Sequence, residues 1–90
     1  MDGIELVPSL SHCIECAARE AFWSLANSYR EGGRKDEALE GQIELLKAFL
    51  ETMDFGKLRS ESERYLTRGK AVKFVIYRES GKPAYDMVVS

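Results

Sequence analysis

A two-residue turn signal near the carboxyl end constrains the fold of this 90-residue chain more than any other feature. Ser80-Gly81 separates two runs, 70–79 and 84–89, that are rich in β-branched and aromatic residues, the types that favour strands. Two-residue loops join antiparallel strands, and glycine accepts the positive φ that such turns need. The sequence therefore predicts a β-hairpin over about residues 70–89. Its predicted cross-strand pairs, which share one apolar face, are Val72–Val89, Phe74–Met87 and Ile76–Tyr85.

Upstream of the hairpin, apolar residues recur at spacings of three and four, which is the helical period. This spacing predicts helices over about 11–31, 36–53 and 54–68. Glycines after the first and third helices, and aspartates at the starts of the second and third, fit these boundaries. We expect Ser9 or Ser11 to cap the first helix, because a serine oxygen accepts from the free amides of a first turn.

The segment 3–8 is short and apolar, and it forms either a small edge strand or a lead-in that ends at Pro8. Together these elements predict one α+β domain over residues 1–90. It consists of a helical hairpin and a third helix, followed by a C-terminal antiparallel β-hairpin.

One segment resembles a known repeat. It has, at the spacing of a tetratricopeptide-repeat helix pair, an aromatic, a leucine, a small residue, a tyrosine, a turn glycine and an alanine: Phe22, Leu25, Ala26, Tyr29, Gly33 and Ala38. Residues 22–50 therefore resemble one such unit, with departures at Gln42 and Leu50. The resemblance implies a helical hairpin but no peptide-binding groove, which needs about three units. We expect no family match over the whole chain.

Composition excludes several classes of protein. No run of apolar residues is long enough to span a membrane, and no basic lead marks a secretory signal. Two cysteines are too few for a disulfide scaffold, so we expect a cytoplasmic protein with reduced thiols. The net charge of −2 divides into −6 for residues 1–55 and +4 for residues 56–90.

The most reactive-looking cluster is His12, Cys13 and Cys16, at the predicted start of the first helix. Two thiols at this spacing can share a metal or act as a redox pair, since a helix N-terminus favours the thiolate. A closed zinc site needs four ligands, whereas this cluster offers three and the chain has no other His or Cys. We therefore predict no metal and no cofactor, and keep a metal- or thiol-dependent site as an alternative function. No catalytic residue is predicted elsewhere.

The basic carboxyl-terminal third suggests a second alternative, nucleic-acid binding. Its candidate contacts are Arg64, Arg68, Lys70, Lys73 and Arg78. Phosphate neutralisation needs such charge, but glutamates interrupt the run and the isoelectric point is near 5.4. We expect any such binding to be weak and non-specific.

The apolar pattern of the second helix favours a non-catalytic interaction module that self-associates as a homodimer. Leu45 and Phe49 form a stripe beside the main seam of that helix, and a lone hairpin leaves strand edges unpaired. A two-fold dimer would cover both features. The predicted interface residues are Trp23, Leu45, Phe49, Phe74, Ile76, Tyr85 and Met87.

Overall fold

The computed structural model describes residues 3–90, and it contains three helices and one antiparallel sheet. In chain order the elements are β1 (Ile4–Leu6), α1 (Ile14–Glu31), α2 (Glu37–Thr52), α3 (Phe55–Leu66), β2 (Val72–Glu79) and β3 (Lys82–Val89). The predicted α+β class and the C-terminal hairpin are confirmed. Residues 1 and 2 of the predicted domain lie outside the described residues.

The hairpin register is the one that the alternating pattern predicts. Val72 pairs with Val89, Phe74 with Met87 and Ile76 with Tyr85. The turn residues Ser80 and Gly81 have φ values of 53° and 80°. A two-residue loop needs positive φ at both positions to match the right-handed twist of the strands that it joins.

The segment 3–8 contains an edge strand, which resolves the choice left open by the sequence. Ile4 lies opposite Ile76 and Leu6 opposite Phe74, so the strand order is β1-β2-β3. The sheet therefore has three strands, and β2 is its centre. Part of the β2 edge that the hairpin alone would leave open is paired with β1.

The helix starts confirm two predicted caps and correct the third. Asp36 and Asp54 begin α2 and α3, and their side chains accept backbone N–H groups of the first turn. The expected serine cap of α1 is wrong: the capping position belongs to Cys13. Ser9 exchanges backbone hydrogen bonds with His12 instead, which closes a tight turn before the helix begins.

The core lies between the three helices and one face of the sheet. Phe49 of α2 is fully buried at its centre, with ring centroids 5.5 Å from Phe55 and 6.5 Å from Tyr85, both in edge-to-face geometry. Phe74 of β2 is equally buried and lies 5.6 Å from Tyr85. The outer face of the sheet is mixed: Lys73 contacts Glu5 across β1 and β2 at 3.5 Å, and Val88 is exposed on the same face.

Among residues 3–90, none of the helices combines the length and the apolar character that crossing a membrane demands.

Candidate dithiol site

Two free cysteines meet at the first turn of α1. Cys13 is the capping residue, with extended backbone angles, and Cys16 lies in the first turn. Their Sγ atoms are 3.4 Å apart, which is a thiol–thiol hydrogen-bond contact. Cys13 is half-buried and Cys16 is exposed. A disulfide needs an S–S distance of about 2.05 Å, so closing the pair takes only a small movement of two side chains.

The two thiols differ in acidity. The backbone N–H of Cys16 faces the Cys13 sulfur and, with the Cys16 thiol, lowers the pKa of Cys13. The N–H of Glu15 and the guanidinium of Arg59 act in the same direction. The pKa of Cys16 is raised, because its thiol is hydrogen-bonded to Cys13 and a Cys13 thiolate repels a second negative charge. Cys13 is therefore the thiol that ionises first, which makes it the stronger nucleophile of the two at neutral pH.

Arg59 of α3 brings a positive charge to this site. Its Nε atom donates to Glu63 at 3.1 Å, one turn along the same helix. Arg59 and Cys13 together line two adjacent clefts. The larger, about 160 Å³, also contains Leu10 and Cys16, and the smaller, about 140 Å³, contains Phe55. Cys13 is thus accessible from two sides despite being half-buried.

His12 pairs with a carboxylate and not with a thiol. Its Nε2 atom lies 3.2 Å from a carboxylate oxygen of Glu20, two turns along α1. In the part of the chain that the structure describes, three or more His, Cys, Asp and Glu side chains nowhere gather in an arrangement that could hold a metal ion. The structure therefore brings together two of the three predicted ligand candidates, Cys13 and Cys16, and separates the third.

Most of the predicted interface residues are covered within the single chain. Leu45 is 5% exposed, while Phe49, Phe74 and Ile76 are fully buried by α3 and the opposing helix and sheet faces. Tyr85 and Met87 are half-buried against the same core. Only Trp23 of this set stands in solvent, with 66% of its surface exposed. The four buried residues Leu45, Phe49, Phe74 and Ile76 therefore offer no surface to a partner in this conformation.

The predicted nucleic-acid contacts lie on several elements of the fold. Arg64 and Arg68 lie at the end of α3, close in sequence to Lys70. Lys73 contacts Glu5 on the outer face of the sheet. Arg78 lies near the far end of β2, where it donates to the backbone oxygen of Gly41 in α2. Two of the five charges, Lys73 and Arg78, therefore have partners within the fold.

The sequence pattern does not associate Arg59 or Leu10 with the thiols. The spacing of Arg59 and Glu63 predicts an ion pair within one helix. No local pattern connects α3 with the start of α1, because that contact arises from packing. The signal that remains in the sequence is the Cys13–Cys16 spacing itself.

A sequence-family model matches residues 4–90, so the chain belongs to that family, whose function is unknown. The expectation that no family covers the whole chain is therefore wrong. The match includes the helices and the hairpin together, and a tetratricopeptide-repeat match is not found. No curated protein and no solved structure matches the chain.

Proposed function

We propose that the protein carries out thiol–disulfide exchange, with Cys13 as the attacking thiol and Cys16 as the resolving thiol. The observation that carries this proposal is the contact between the two sulfur atoms at the capping position of α1. Backbone N–H groups there favour a thiolate on Cys13, and the guanidinium of Arg59 lies beside it.

The exchange proceeds in two balanced steps. The Cys13 thiolate attacks one sulfur of a substrate disulfide, and the substrate S–S bond breaks as a mixed disulfide forms on Cys13. The departing sulfur leaves as a thiolate and takes a proton from water. Cys16 then attacks the Cys13 sulfur, its proton passes to the second departing thiolate, and a Cys13–Cys16 disulfide forms. Two electrons move from the dithiol to the substrate, which is released as two thiols.

Each cysteine has a separate role in this scheme, and Arg59 is a positioning residue. The lowered pKa of Cys13 raises its thiolate fraction at neutral pH. The raised pKa of Cys16 keeps the resolving thiol protonated until the mixed disulfide has formed and the negative charge on Cys13 has gone. Arg59 stabilises the Cys13 thiolate, and Glu63 accepts a hydrogen bond from its guanidinium. We expect this chemistry to operate in a reducing compartment such as the cytoplasm, which regenerates the dithiol.

The test is reaction of the reduced protein with glutathione disulfide, followed by intact mass and thiol titration. The unaltered chain should lose two hydrogens and both titratable thiols. Cys16→Ser should stop at the mixed disulfide and retain one glutathionyl group on residue 13. Cys13→Ser should react more slowly, since the backbone N–H groups that lower the pKa of Cys13 do not act on the remaining Cys16 thiol. Equal reaction of the two variants, or trapping on Cys16 alone, would overturn the assignment.

Self-association is a second candidate, favoured by the exposed Trp23 and by the outer edge of β3. β3 pairs with β2 along one edge only, which leaves the backbone groups of its other edge without a strand partner among the described elements. In an antiparallel pair, alternate residues bond to the neighbouring strand. Tyr85, Met87 and Val89 are in the pairs that are not hydrogen-bonded to β2, so their N–H groups face the outer edge. Pro83 also faces it and lacks an N–H, which blunts that end of the edge.

Sedimentation at micromolar concentration tests this second candidate. A species of twice the 10.2 kDa chain mass that Met87→Pro converts to monomer would support pairing through β3. Lys73→Pro cannot serve as a control, because β2 is the central strand. Leu10→Pro is the matched control, because Leu10 lies outside the sheet. A monomer that remains folded on dilution would end this candidate.

A further inference from the structure

Exposed apolar side chains flank the dithiol. The described residues include four large hydrophobic side chains that are strongly exposed: Val7, Leu10, Trp23 and Val88. Leu10, 61% exposed, lies on the wall of the larger cleft together with Cys13 and Cys16. Trp23, 66% exposed, lies seven residues after Cys16 on α1, which is two helical turns and about 10 Å along the axis. We call Leu10, Cys16 and Trp23 the thiol strip.

The charged side chains around the thiol strip are satisfied within the protein. Arg19, between Cys16 and Trp23, donates to Glu15 at 2.9 Å. Glu20, beside it, lies 3.2 Å from His12. On the other side of the thiols, Arg59 donates to Glu63. A surface of balanced ion pairs gives little net attraction to a charged ligand, so recognition there depends on apolar contact.

The size of the clefts excludes enclosure of a small molecule. Sites that enclose a small ligand have volumes of about 300–1,000 Å³. The two clefts at Cys13 measure about 160 and 140 Å³, which is room for single side chains. A ligand that reaches Cys13 must therefore rest most of its surface on the outside of the protein, along the thiol strip.

We infer that the substrate of the dithiol is a polypeptide disulfide with large apolar side chains within about three residues of its cystine, and that these side chains pack on Leu10 and Trp23. This inference rests on the proposed thiol–disulfide exchange and names its substrate class. The cystine sulfur enters the larger cleft to meet Cys13. The polypeptide on either side of the cystine lies along α1, where Trp23 offers a wide apolar surface at the distance of about three extended residues.

The experiment compares three disulfides at equal concentration by stopped-flow or quenched thiol titration. They are a cystine-linked peptide with Leu next to each cysteine and Phe three residues from it, the same peptide with Ser at those positions, and glutathione disulfide. We expect the apolar peptide to react about tenfold faster than the other two, because burial of one such side chain supplies that factor. Glutathione disulfide should still react, at the slower rate.

Two variants and one control identify the surface. Trp23→Ser should slow the apolar peptide by about three- to tenfold and leave glutathione disulfide unchanged. Leu10→Ser should slow the apolar peptide more than it slows glutathione disulfide, because Leu10 also lines the cleft that any disulfide enters. Val88→Ser, a comparable loss on the outer face of the sheet, should change neither rate. Alkylation of Cys13 by iodoacetamide at an unchanged rate, with an unchanged melting curve, would establish that each variant keeps its site and fold.

The outcomes separate this inference from the proposed function. Equal rates for the three disulfides, or equal slowing of peptide and glutathione by the two variants, would overturn the polypeptide assignment and leave the exchange chemistry standing. If glutathione disulfide reacted faster than the apolar peptide, the substrate would instead be a small anionic disulfide. Failure of all three disulfides to oxidise Cys13 and Cys16 would overturn the exchange and the substrate assignment together.

Discussion

The starts of α1 and α2 present the same set of free backbone N–H groups and use them for different purposes. At α2, Asp36 Oδ1 accepts from the N–H groups of Ala38 and Leu39 at 3.0 and 3.2 Å. At α1, the corresponding residue is Cys13, whose thiol makes no capping hydrogen bond. The N–H groups there favour a thiolate when one forms. One helix start stabilises the fold, whereas the other is available to stabilise a reactive charge.

The two regions also differ in how firmly the surrounding core holds them. α2 continues into Leu46 and Phe49, which are fully buried, whereas Cys16 and its neighbours Arg19 and Glu20 are exposed. Changes in the α2 region should therefore act on the stability of the whole molecule. Changes at the start of α1 should act mainly on the acidity and reactivity of Cys13.

The largest effect on stability should come from Phe49→Ala. Loss of a fully buried ring that contacts Phe55 and Tyr85 should lower the free energy of unfolding by about 3–5 kcal/mol. Denaturant unfolding measures this change. Trp23→Ala removes a side chain of similar size from the surface and should cost less than about 1 kcal/mol. Under conditions where both variants remain folded, the alkylation rate of Cys13 should match that of the unaltered chain. A slower Cys13 in the Phe49 variant would show that the core and the site are coupled.

Asp36→Ala should come next. It removes the acceptor for two N–H groups of α2, and we expect a loss of about 1 kcal/mol in the free energy of unfolding. Asp36→Asn keeps a side-chain oxygen at the same place and should retain most of the stability. If both substitutions cost the same, the negative charge would matter more than the capping bond.

An aspartate at the start of α1 should raise the free energy of unfolding, whereas loss of the aspartate at the start of α2 lowers it. Cys13→Asp supplies α1 with the cap that α2 already has, and should raise the free energy of unfolding by about 0.5–1 kcal/mol relative to Cys13→Ala. It should also abolish exchange with glutathione disulfide. Greater stability of Cys13→Asp than of the unaltered chain, together with the loss of exchange, would show that the thiol is retained at a cost to stability. Equal stability of the Asp and Ala variants would mean that the first-turn N–H groups are already satisfied.

The smallest effect on stability should come from Arg59→Gln, which acts on acidity. Arg59 lowers the pKa of Cys13, so its loss should move the alkylation-rate profile of Cys13 to higher pH. The rate at neutral pH should fall, while the rate well above the pKa should be unchanged. Arg19→Gln removes an equally exposed cation from α1 and should leave the profile in place. These profiles are best measured in a Cys16→Ser background, where only one thiol reacts.

The sequence was sufficient for those parts of the fold that local signals determine. The register of β2 and β3 follows from one turn and an alternating pattern, and the Asp36 and Asp54 caps follow from residue type. The predicted cap of the first helix is wrong because serine is a favoured capping residue, so residue type alone points to Ser9 or Ser11 and not to Cys13. In the structure the two serines lie 3.3 Å apart, oxygen to oxygen, in the turn before α1. The three residues of β1 are too few to show a period.

The candidate site was predictable only in part, for a similar reason. The spacing of Cys13 and Cys16 identifies the thiols, but the presence of Arg59 depends on how α3 packs against α1. The cover of Leu45 and Phe49 depends equally on packing. The apolar width of α2 shows that these residues need a partner surface, and a one-dimensional pattern does not say whether that surface belongs to the same chain. Here the sheet and α3 supply it.

The central position of β2 has a consequence for the order in which the chain folds. β3 reaches β2 through a two-residue turn, whereas β1 is separated from β2 by all three helices. Short loops close at a smaller entropic cost, and hairpins form within microseconds. During synthesis β1 leaves the ribosome before β2, the strand it pairs with. Until β2 arrives, Ile4 and Leu6 have no strand to cover them, so β1 is made first and is the last strand to find its place.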